Sequence, residues 1–165
     1  NTFIASLQQN RIDAGLTTDP TITRLVTSGH GKVLVDLRTP ADAEKALGGL
    51  YPGASLYMPN AWVNNHKEET QKLVNAFVKT MRYIHTHTAR EIAEKMPKDY
   101  YAGNKELYIA ALSASMPMFT RDGRMPEEGP PNVLKVLSTF KPQVKQAHID
   151  LSKTYTTEFV DNAKQ

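Results

Sequence analysis

Polar side chains that could do chemistry collect at three turns of this sequence. Thr17-Thr18-Asp19-Pro20 puts two hydroxyls and a carboxylate just ahead of a predicted helix. A strand end that leads into a helix N-terminus offers free amides to an oxyanion. Arg38-Thr39 closes the next predicted strand, where a guanidinium fork could join the same rim. Tyr51, in Tyr51-Pro52-Gly53, stands before a third apolar run and could line a cleft. Each position also has a purely structural reading. Thr18 or Asp19 serves as a helix cap, Arg38 is an exposed charge near Asp36 or Asp42, and Tyr51 packs.

Other chemistries find less support. Of the five histidines, His85 and His87 are two apart on a helix, so they point to different faces and share no ion. His30, His66 and His148 have no carboxylate or histidine at a ligand spacing. Leu112-Ser113-Ala114-Ser115 lacks the glycines of a nucleophile elbow. Gly29-x-Gly31 lacks the lysine and hydroxyl of a phosphate loop. There is no cysteine, which removes disulfides, thiolate nucleophiles and zinc-thiolate sites. No cofactor and no catalysis are expected.

The elements that must position these residues follow from periodicity. The longest helical pattern lies within Leu50 to His87, where Leu73, Val74, Phe77, Val78, Met81 and Ile84 form one apolar stripe. Asn65 and Glu68 look like a cap with its reciprocal partner. Thr2 to Asn10 reads as a helix. Arg11 to Leu16, Lys32 to Leu37 and Ala54 to Met58 read as short strands. Helices follow from Pro20 and from Thr39-Pro40, the second stopped by Gly48-Gly49. Thr88 with Glu91 caps a helix to Lys95, and Asn104 caps another that Pro117 interrupts. Gly129-Pro130-Pro131 reads as irregular before a helix at Val133 to Leu137, and Asp150 to Lys164 as a last helix with Tyr155, Phe159 and Val160 inward. The spacing predicts an α/β protein: parallel-type strands first, then a helix-rich C-terminal half.

At 165 residues the chain is one domain's worth, or two small lobes. Its net charge of +3 is spread among acidic residues, which predicts solvated faces and no nucleic-acid partner. No apolar run is long enough to cross a bilayer, and no leader stands at the amino end. A first residue of Asn1 in place of Met points to a processed or truncated product.

The sequence resembles the substrate-binding proteins of ABC importers for nitrate, taurine and aliphatic sulfonates, grouped with the thiamine-precursor-synthesis-like solute-binding domain. The matching pieces are Leu7-x-x-Asn10-Arg11-Ile12-Asp13-Ala14 with Asp19-Pro20, then Val35-Asp36-Leu37-Arg38-Thr39. Gly48-Gly49-x-Tyr51-Pro52 with Leu56-Tyr57 follows, then Gln71-x-Leu73-Val74-Asn75-Ala76. Pro97-Lys98-Asp99-Tyr100, Phe119-x-x-Asp122-Gly123, and Asp150-Leu151 with Tyr155-Thr156-x-Glu158-Phe159 complete the series, in the family's order over nearly the whole chain.

The resemblance implies a portion of a type II periplasmic-binding-protein fold. Residues 1–58 would be the α/β part of the second lobe and 59–165 the helical end of an otherwise missing first lobe. Leu50 to Asn60 would be the crossover between them. It also implies a small anionic solute, periplasmic location and an ABC permease as partner, and no catalysis. Enzymes on the same fold rely on a cysteine-rich motif that this chain lacks. The alternative is a helical domain that self-associates without a small ligand. With the first lobe absent, the stripe from Leu73 to Ile84 would pack on the chain's own helices or form a homodimer.

Overall fold

Apolar residues at helical spacing organise the computed structural model, which describes residues 2–101 and 103–163. Ten α-helices run in order among them. They are α1 (Thr2–Gln8), α2 (Thr21–Thr27), α3 (Pro40–Leu47), α4 (Asn60–Asn65) and α5 (Lys67–Thr86), then α6 (Ala89–Lys95), α7 (Lys105–Ser115), α8 (Gly129–Phe140), α9 (Pro142–Gln146) and α10 (Glu158–Asp161). Short 3-10 turns occupy Lys98–Tyr101, Met116–Met118 and Leu151–Lys153.

The expected α/β architecture, a portion of a type II periplasmic-binding-protein fold with parallel-type strands, is not what forms: there is no β-strand among the described residues. Arg11 to Leu16, Lys32 to Leu37 and Ala54 to Met58 run as bends and irregular chain, without the strand pairing their composition predicts. A strand needs a neighbour to take its main-chain hydrogen bonds, and no described segment pairs with these as a strand. Periodicity registers a side chain's preference and says nothing of whether a partner is present.

The helix-end chemistry is close to expectation. Thr39 Oγ1 accepts the Asp42 N–H at 3.1 Å and donates to the Asp42 carboxylate, while Gly48 ends α3 at φ 73°. Replacing Thr39 by alanine should cost about 1 kcal/mol of stability, and serine should restore most of it, as read by urea melts. Thr88 and Glu91 form a full capping box on α6, and Asn104 accepts the Leu107 N–H on α7. Pro117 sits in the 3-10 turn that closes α7.

Three ends differ. Asn65 does not cap the long helix, because it is the last residue of α4; α5 begins at Lys67 with no side-chain cap. At that corner Trp62 stacks on His66, with ring centroids 4.5 Å apart, and His66 Nδ1 lies 2.8 Å from the Trp62 carbonyl. Gly129-Pro130-Pro131 is the first turn of α8, as proline tolerates a position where an N–H would be unpaired anyway. The predicted tail helix is a 3-10 turn plus the short α10; Lys164 lies outside the described residues.

The core is small. Ala89, Ile92 and Ala93 of α6 are buried, as is Ala111 of α7, and α6 packs on α7. Small side chains let the two backbones approach, and the Arg90–Glu106 and Lys105–Glu94 pairs bridge the rim. Val78 of α5 and Phe159 of α10 form the other centre, under a turn whose Gly123 takes φ 77° close to Val78 and Val160, and Ile84 is buried further along α5. The stripe on α5 divides: Val78 is 2% exposed, whereas Phe77 is 46% exposed and Leu73 is exposed beside it.

Candidate functional site

Helix α7 brings Ser115 to the turn before α2, 96 residues away in sequence, and so assembles a charged cluster that joins distant parts of the chain around a nearly buried carboxylate. Asp19 is at its centre, with a side chain 8% exposed. Its Oδ1 accepts the Thr23 N–H at 3.0 Å and the Thr23 hydroxyl at 2.6 Å. Its Oδ2 accepts from Ser115 Oγ at 3.0 Å and from Arg38 Nη1 at 3.1 Å. Arg38 in turn grips Asp36 through Nε at 2.9 Å and Nη2 at 2.6 Å.

Burial alone would raise the Asp19 pKa, but the bonds from Thr23, Ser115 and Arg38 outweigh it and the net direction is down. Asp36 is lowered to about 2, chiefly by the Arg38 hydrogen bonds. Arg38 is raised, chiefly by Asp36. All three are therefore charged at neutral pH, and two carboxylates against one guanidinium leave a net charge of one negative.

A guanidinium has five N–H groups. Three are spent on Asp19 and Asp36, which leaves one on each terminal nitrogen without a partner among the described residues. Arg38 also lines a shallow groove of about 240 Å³ with Ile22, Thr23, Val26, Ala110 and Ala114. The groove is walled mostly by apolar side chains of α2 and α7, and Arg38 is its one charged lining residue.

The structure unites only some of the predicted positions. Asp19 and Arg38 meet. Thr18 is exposed, and its carbonyl accepts the N–H groups of Thr21 and Ile22. With Thr23 committed to Asp19, the first amides of α2 are already partnered. Thr17 is half-buried and adjoins the turn through sequence alone. Tyr51 is held elsewhere: Leu50 O accepts from Asn132 Nδ2, and Pro52 lies against Gly129 at the start of α8. Thr23 and Ser115 had no signal in the sequence, since neither stands in a motif and Ser115 reaches the site only through packing of α7 on α2.

The histidines are spread out. His85 Nε2 lies 2.9 Å from the Phe119 carbonyl, and His87 stacks on Tyr83 at 3.7 Å. Among the described residues no three His, Asp or Glu side chains are placed to hold a metal ion. No described helix is long and apolar enough to cross a membrane.

No protein-family model and no curated protein matches the sequence. Among solved structures, one of a protein from Bordetella bronchiseptica RB50 is similar, at 36% identity and a TM-score of 0.90 over 97% of this chain. The match covers 50% of the Bordetella chain. This chain spans half that protein's length. The match carries the helical arrangement described above, and no activity comes with it.

Proposed function

We propose that the chain is part of the solute-binding component of an ABC importer, exported to the periplasm, which receives a small anion and passes it to a membrane permease. The reading is supported by the ordered residue resemblance and, in the geometry, by Arg38 at the end of an apolar-walled groove with two N–H groups unspent. The residual negative charge of the cluster disfavours a bare anion such as nitrate. It suits a sulfonate that also carries an ammonium group, as taurine does, with Asp36 as the more exposed carboxylate. No catalytic role is assigned.

Calorimetric titration with taurine, ethanesulfonate and nitrate tests this. Saturable heat for taurine above the other two, lost in Arg38→Gln, supports the reading. Equal or absent heats for all three in the folded chain sink it.

A second reading, a self-associating helical domain without a small ligand, draws on the exposed apolar side chains of the first 58 residues and of α5. It predicts a mass that rises with protein concentration in light scattering and that no solute changes.

A further inference from the structure

The accessible surface is 11883 Å². A folded monomer of 18.4 kDa exposes about 8,200 Å². The excess, roughly 3,700 Å², is several times the ~800 Å² that each partner buries in a standard interface.

That surface has a local focus. Leu34 is 71% exposed, Val35 64% and Tyr57 90%, with Val33, Leu37 and Leu56 also exposed. These residues lie in two irregular segments, 32–37 and 53–58, that make no backbone–backbone hydrogen bond among the described residues. Water can satisfy such a backbone, but a β-branched, apolar run in water has neither its side chains nor its main chain suitably placed. The two needs have one remedy: a polypeptide that covers the side chains and takes up the N–H and C=O groups.

We infer that segments 32–37 and 53–58 form a docking surface whose occupant is the remaining half of a longer polypeptide. The size of the excess favours that occupant over a second copy docked through a standard interface, which would cover about 800 Å² of it. So does the Bordetella chain, which matches this one closely and is twice as long. The argument needs no solute and stands whether or not the groove at Arg38 binds one.

The test co-expresses this chain with the unmatched half of the Bordetella chain and reads peptide-level hydrogen exchange. The expected result is a 1:1 complex in light scattering, with exchange at 32–37 and 53–58 slowed at least tenfold relative to the chain alone. Two halves that migrate separately overturn the proposal. So does a homodimer of the isolated chain that protects the same amides, because a second copy is then the occupant. A further arm uses this chain alone. L34E/V35E should leave its melting temperature unchanged, since nothing in the chain covers these residues. A clear fall in melting temperature would show them buried within it and would also overturn the inference.

Discussion

Asp19→Ala is expected to destabilise the chain by about 3 kcal/mol, the low end for breaking a buried ion pair. Four hydrogen bonds end on this carboxylate, from Thr23 twice, Ser115 and Arg38. Alanine removes all four at once. The value stays low because Arg38 is 21% exposed and keeps its fork on Asp36, so its charge is not left bare. Asp19→Asn should fall between, since an amide oxygen can still accept from Thr23 while Arg38 loses one of its two carboxylate partners.

The same cluster sets an acid limit. Both carboxylates have folded pKa values below the ordinary 3.8, so their contribution is complete above that value and is lost as pH falls through the folded ones. For Asp36 the loss runs from near pH 4 down to about 2. Urea midpoints measured across this window should fall steeply in the parent chain and less steeply in Asp19→Ala. Parallel slopes would refute the assignment.

The largest apolar loss is expected at Phe159→Ala. Phe159 is the buried residue of a four-residue helix, so it, and not the helix's own hydrogen bonds, holds α10 on α5. A buried phenylalanine truncated to alanine costs about 3 kcal/mol, equivalent to roughly 1.5 M in urea midpoint for a chain of this size. Its carbonyl also accepts from Gln71 Nε2 at 2.8 Å, so loosening α10 strands an amide on α5. The exposed Lys67–Glu158 pair joins the same two helices, and Lys67→Ala should move the midpoint far less. If the two variants behaved alike, the α5–α10 contact would be electrostatic and not apolar.

Legibility followed the range of the forces involved. Thr88 and Asn104 could be read as caps, and Thr39-Pro40 as a helix start, because a helix end is decided within four residues. The face of α5 could be read from spacing, but the division between covered Val78 and uncovered Phe77 could not, because it depends on what arrives from α10 and the turn at Gly123. The strand expectation at Lys32 to Leu37 failed for the same reason, as pairing is a property of two segments. At the candidate site, Asp19 and Arg38 were visible as polar residues at turns. Their engagement with each other, and with Ser115, was not.

The corner between α4 and α5 gives the chain a built-in optical reporter. Trp62 is the single tryptophan, and its indole lies flat against His66 one helical turn on. Emission excited at the indole therefore comes from one place, and a change in its intensity or wavelength registers the opening of this corner. The joint at which the short helix meets the long one can thus be followed in real time without attaching a dye.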